Sequence, residues 1–114
     1  MIFWQCQPNY IKENNLNDEL AGKYCMVRTK NAGVFAGTVI KRDGSEIELS
    51  DARRIWYWAG AASLSQLAED GTSKPRQCKF PCAVPIVVLL GVIEIIPISD
   101  RAALTIAQVP VWQE

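Results

Sequence analysis

DGSEIELSDARRIWYW, residues 43 to 58, carries the reading that decides the fold. Asp43-Gly44 is a hairpin signal, because glycine accepts the positive φ that a tight reversal demands. After it the chain alternates cleanly, with Ile47 and Leu49 on one face and Glu46 and Glu48 on the other. The alternation then fails. A straight strand to Trp58 would put Asp51 and Arg53 on the apolar face beside Leu49, and burying unpaired charge there costs several kcal/mol. A bend or bulge at Ser50 to Ala52 avoids that cost, and IWYW (55 to 58) is then expected to begin a new strand. Three adjacent rings on a strand cannot share one face, so at least one of Trp56, Tyr57 and Trp58 must look away from the core.

The neighbouring segments extend the β pattern. YCMVRT (24 to 29) and VFAGTVIKR (34 to 42) read as strands joined by a turn at Asn31-Ala32-Gly33, and Gly37 inside the second marks a bulge or tight bend. VPIVVLLGVIEIIP (84 to 97) supplies one or two buried strands bent at Gly91. Two helices punctuate the strands. In the first, Ser63 and Gln66 form a capping box, Leu64, Leu67 and Ala68 share a face, and Gly71 stops it. The second spans 100 to 108 under a Ser99 cap, and VPVW (109 to 112) follows as a short strand or docked tail. Residues 1 to 23 read as an extension, a short helix or arm ending at Gly22, with Phe3 and Trp4 docking on the domain or on a neighbouring subunit. These segments predict a mainly β (α+β) domain over 24 to 114: a small, strongly bent SH3-like or Sm-like β-barrel or roll with two short helices.

Composition narrows function. The 114 residues contain 12 Lys plus Arg against 12 Asp plus Glu, a formal net charge of zero. Generic nucleic-acid binders carry a basic excess, so that role is disfavoured. No histidine is present, which removes Ser-His-Asp, Cys-His and histidine-zinc chemistry together. The expectation is a protein that is not an enzyme and needs no cofactor or metal. The start, MIFWQCQPNY, lacks the charged and apolar regions of a signal peptide. The apolar run 84 to 98 is interrupted by Pro85, Gly91, Glu94 and Pro97, short of the ~20 apolar residues a bilayer requires. A cytoplasmic setting is expected, with Cys6, Cys25, Cys78 and Cys82 reduced and partly buried. Only Cys78 and Cys82 are closely spaced, whereas structural zinc draws on two tight pairs.

The candidate site lies in the opening stretch and one earlier strand. Guanidinium groups bind phosphate in bidentate fashion and stack on rings, so Arg28, Arg53, Arg54, Trp56 and Trp58 suit an anionic, nucleotide-type ligand. Asp51 would orient one arginine or cap the turn. A structural ion pair of Asp51 with Arg53 or Arg54 competes with that reading. Lys74, Arg76 and Lys79 form a basic loop able to assist an anion site or simply to be solvated. Glu94 is a partner for an arginine or a water-facing edge residue.

The run from VRTKNAGV through ARRIWYWAGAASLSQLAEDG, then CKF and the late EIIP, resembles a family of small proteins of tailed phages and prophages. The shared pattern is VR-x-x-x-AGV-x-x-G followed by L-x-x-ARR-x-W-x-W-x-GA-x-x-L, and the likeness covers about residues 24 to 112. The resemblance implies a phage origin and residence in the host cytoplasm. Together these readings predict a phage-encoded binding protein that sequesters a small anionic ligand or antagonises a host defence. The alternatives are an Sm-like or SH3-like module for RNA or single-stranded DNA, and an assembly protein acting through oligomer contacts. A homo-oligomer is expected in each case, with a host protein as another possible partner and no membrane association.

Overall fold

The structure, a computed structural model, describes residues 19–113. Five strands form one antiparallel sheet: β1 (Tyr24–Thr29), β2 (Val34–Asp43), β3 (Glu46–Arg54), β4 (Ala83–Leu89) and β5 (Val92–Pro97). Their spatial order is β4-β3-β2-β1-β5, with two helices, α1 (Leu64–Asp70) and α2 (Asp100–Ala107), inserted before β4 and after β5. Glu19 and Leu20 are helical and Gly22 has φ +83°, in keeping with a helix that stops there. The expected contacts of Phe3 and Trp4 and the state of Cys6 lie outside the described residues.

The sheet is curled, for a reason visible in its connectivity. β4 and β5 occupy opposite edges, roughly 19 Å apart across four inter-strand steps if the sheet were flat. Only Leu90 and Gly91 join them, a link that reaches about 11 Å. The edges must therefore bend toward each other. Two hydrogen bonds hold them there: Val92 N donates to Ser45 O at the β2–β3 turn, and Lys30 N donates to Gly91 O. The mainly β, strongly bent sheet with two short helices is thus present, but β4 and β5 do not pair with each other, so among the described residues the sheet stays open and does not close into a barrel.

The predicted break in β3 is a bulge. Thr38 pairs with Ser50 and Ala36 with Arg53, so three steps along β3 oppose two along β2. Asp51 takes φ +49°, a conformation rare outside glycine and asparagine or aspartate, and Gly37 faces it. A Cβ on Gly37 would sit 3.2 Å from Ala52 Cα and Ser50 O, so glycine permits the close approach. The bulge returns Ala52 to the Ile47–Leu49 face and turns Arg53 to the opposite one. A second irregularity lies at Val39–Lys41.

Strand alternation then divides the interior into two. Inside the curl, Cys25, Val27, Phe35, Val39, Leu49 and Leu89 pack together from strands alone. On the outer face Met26, Ala36 and Ile55 are covered by Leu67 and Ala68 of α1 and by Ala102 and Ile106 of α2, with Phe80 between them. The helix caps form as the sequence indicates. Ser63 Oγ accepts from Gln66 N and Ser99 Oγ from Ala102 N, although Gln66 reaches back to the Ala62 N–H, one residue beyond the capping-box position.

Two expectations need correction. IWYW is not a strand: β3 continues through the bulge to Arg54, and beyond it Tyr57 makes a single bridge to Lys79. Trp56 N and Tyr57 N both point at Lys79 O, so this segment has one residue to pair with rather than a strand. The 84 to 97 run forms two strands, as one alternative held, but β5 is at most half-buried and β4 is largely exposed. Val84, Pro85, Ile86 and Val88 are exposed because β4 is an edge strand and neither helix covers it.

Burial also sets an alkaline limit. Desolvation pushes the Cys25 thiol up from its ordinary 9.0, with Lys23 opposing, and the Tyr24 phenol up from 10.0, with Arg53 opposing. Both groups ionise first in the unfolded chain. Stability is therefore whole below the unfolded values and is lost as pH rises through them toward the folded ones. The urea midpoint should stay level from pH 6 to 8 and fall from about pH 9. Tyr24→Phe and Cys25→Ala should each flatten part of that fall; an unchanged slope in the double variant would exclude these groups as its cause.

Candidate functional site

The six residues expected to form an anion site do not converge. Arg28 lies at the end of β1, and its Nε donates to Glu94 Oε1 at 2.8 Å, an ion pair whose side chains are 49% and 38% exposed. Glu94 is thus an arginine's partner, though at the surface. Arg54 lies over the Phe35 ring at 4.3 Å, and its Nη1 donates to Ala32 O. It ties β3 to the β1–β2 turn. Asp51 occupies the bulge, and neither Arg53 nor Arg54 pairs with a carboxylate among the described residues. Trp58 is half-buried against the outer core.

Arg53 is the most committed of them. The bulge turns it to the helix-covered face, where its guanidinium reaches five carbonyls: Pro81 O (3.0 Å), Ile106 O (3.2 Å), Phe80 O (3.1 Å), Val109 O (2.7 Å) and Pro110 O (3.0 Å). Its carbon also lies 5.4 Å from the Phe80 ring centre. Ile106 belongs to the last turn of α2, at the negative end of the helix dipole, and its carbonyl also accepts from Val109 N at 3.1 Å. Arg53 closes that end and fastens the tail to the segment before β4. Burial lowers the Arg53 pKa below the ordinary guanidinium value, while Tyr24 and Cys82 oppose the shift.

The tail held by Arg53 builds a different site. Val111 bridges Phe80 in parallel and Trp112 N donates to Phe80 O, which carries Trp112 to Trp56. The two indoles are parallel within 7°, their centres 6.4 Å apart. Lys79 Nζ stands 5.6 Å from the Trp112 ring and 5.9 Å from the Tyr57 ring. Trp56 is 64% and Tyr57 51% exposed. Large aromatics normally bury most of their surface. These instead form a surface of flat rings around one ammonium.

Beside it an open cleft of about 620 Å3 is lined by Lys74, Arg76, Gln77, Gln108 and Pro110 among others. Its walls lead along the chain toward the aromatic surface, Gln77 being two residues before Lys79 and Pro110 two before Trp112. Lys74 and Arg76 form no ion pair among the described residues. The loop that carries them is locked to the segment after Trp58. Thr72 Oγ1 donates to Ala59 O, Lys74 N donates to Thr72 Oγ1 at 2.9 Å, and Cys78 Sγ sits among these groups.

Of the expected site, Trp56 is at this surface and Arg53 positions it from beneath. Trp112, Tyr57 and Lys79 were not among the predicted ligands. Only the basic loop and the unplaced third ring pointed toward them, because the Val111–Phe80 bridge has no local sequence signal.

Among the described residues no group of three His, Cys, Asp or Glu side chains could hold a metal, and Cys25 and Cys78 are buried thiols while Cys82 is exposed. No helix among them is long and apolar enough to cross a membrane. No curated protein and no solved structure matches the chain. A family model does match it over residues 22–106, from the start of the sheet to the last turn of α2, and the chain belongs to that family, described as a domain of unknown function, DUF6948.

Proposed function

We propose that this is a non-enzymatic binding protein for a nucleotide-type ligand, a flat ring carrying an anionic group. The parallel Trp56 and Trp112 beside Lys79, the first exposed and the second half-buried, carry the reading. A base stacked on an indole gains about 1–3 kcal/mol, and every base offers such a face. The anionic group would lie toward the cleft of Lys74 and Arg76, where charge-assisted hydrogen bonds are strongest. The strand order and two-residue joint between β4 and β5 also suit an incomplete small barrel of SH3-like or Sm-like type, folds that commonly bind at loops on one rim. In the phage setting implied by the sequence resemblance, such a protein would withdraw a nucleotide signal from the host. Single-stranded nucleic acid would use the same rings, but zero net charge disfavours it.

Titration with mono-, di- and cyclic nucleotides should quench tryptophan emission saturably and release heat. Trp112→Ala should weaken binding about 5- to 150-fold, the factor equivalent to one lost stack of about 1–3 kcal/mol. Lys74→Ala/Arg76→Ala should weaken phosphorylated ligands while leaving nucleosides unaffected. Neither heat nor quenching with any nucleotide would refute the reading. Affinity that grows with oligonucleotide length and collapses with salt would replace it by the single-strand alternative.

A further inference from the structure

We infer that the free edge of β4 is the docking surface for a second copy of this chain, the two β4 strands pairing antiparallel about a two-fold axis. Among the described residues β4 ends the sheet: one side of its backbone pairs with β3 and the other has no strand beside it. Ile86, Val88 and Leu90 are 52%, 50% and 66% exposed. Strand alternation puts the first two on one face, with Leu90 just past the strand end. Exposed edges are ordinarily guarded by lysine, inward charge or a bulge. Ala83 to Leu90 holds no charged residue at all, and its one guard is Pro85. Such an edge is a seam awaiting cover.

Its chemistry selects a copy of itself. A two-fold axis at Val87 sets Ile86 against the partner's Val88 and Val84 against the partner's Leu90, so one aliphatic row packs on the same row reversed. The flanking charges agree with that reversal. At the Leu89 end, Asp43, Glu46 and Glu48 outnumber Lys41 around a hollow that includes Val88. At the Ala83 end, the strand emerges from the segment bearing Lys74, Arg76 and Lys79. Antiparallel pairing brings the acidic end of one copy to the basic end of the other. An isologous contact of this kind closes after two subunits. Pro85 withholds one backbone donor per strand, leaving side-chain packing the larger share of the contact.

Light scattering and native mass spectrometry of the full chain at tens of micromolar should give twice the 12.7 kDa subunit mass. Ile86→Lys/Val88→Lys should give a monomer with unchanged far-ultraviolet circular dichroism, since both side chains are already exposed. Asp43→Lys/Glu46→Lys, which leaves β4 itself untouched, should raise the dimer dissociation constant at least tenfold. A monomeric parent protein, a closed assembly larger than two, or a dimer indifferent to both double substitutions would each overturn the proposal.

Discussion

Arg53→Ala is expected to cost about 3–4 kcal/mol of folding stability, a large share of the roughly 5–15 kcal/mol that a domain of this size possesses. Five carbonyls from three separate places in the chain converge on this one guanidinium. Hydrogen bonds to a charged group contribute about 1.5–3 kcal/mol each in favourable cases. They are not additive here, because one fork serves all five acceptors and water can reach some of them once it is removed. What water replaces poorly is the convergence itself. Without Arg53 the carbonyls of Ile106, Val109 and Pro110 face those of Phe80 and Pro81 with no cation between them. Arg53→Lys should recover under half of the loss, since an ammonium keeps the charge but cannot reach acceptors spread around a planar fork. Urea denaturation gives both values, and a loss below 1 kcal/mol for alanine would show that the tail is held by apolar contacts alone. A second readout separates this role from simple packing. The tail carries Trp112, so the Trp56–Trp112 pair should part at urea concentrations below the global transition.

This role of Arg53 marks where sequence reasoning stops. The broken alternation after Leu49 located the bulge at Ser50 to Ala52, because a local rule was violated and only one backbone device repairs it. Gly37 was legible only as a bulge or tight bend in its own strand, both helix caps were legible from Ser63 and Ser99, and alternation required that one ring leave the core. These are matters of neighbours in sequence. The destination of Arg53 is set by Phe80, Pro81 and the 106–110 carbonyls, between 27 and 57 residues away. Backbone acceptors leave no residue-type signature, so an arginine satisfied by them looks the same in sequence as one waiting for phosphate. Two arginines side by side suggested one shared ligand, yet alternation sends Arg53 to the helix face and Arg54 to Phe35. Burial of β4 was misjudged for a related reason. Continuous aliphatic runs mark central strands, and an edge strand that keeps such a run carries information about a partner instead. Trp112, five residues past α2, could be placed only by knowing that Val111 bridges Phe80.

Gly60→Ala is the other substitution with a large expected effect, and it acts on the binding surface through the backbone. Gly60 has φ +83°, which alone costs an L-residue about 1–2 kcal/mol. A Cβ there would lie 2.6 Å from Lys74 N, 2.6 Å from Thr72 Oγ1 and 2.8 Å from Ser73 N. Two of these are backbone atoms, so no rotamer change relieves the overlap and the 72–74 loop must shift. That movement breaks the Ser73 N–Gly60 O bond at 3.3 Å and disturbs Thr72, which is buried and joined to Ala59 O. Strain and lost hydrogen bonds together should destabilise the fold by about 2–4 kcal/mol. Gly44→Ala is the matching control, because Gly44 also has positive φ but a Cβ there meets nothing within 4 Å. It should lose only the backbone cost. The two variants also differ in binding. Moving the loop displaces Lys74 and Arg76 from the cleft wall, so Gly60→Ala at a temperature where it remains folded should weaken nucleotide binding about tenfold, the factor equivalent to ~1.4 kcal/mol for one displaced charge-assisted contact. Gly44→Ala should bind as the parent does. Equal affinity in the two variants would separate the cleft from the aromatic surface and leave the rings to bind alone.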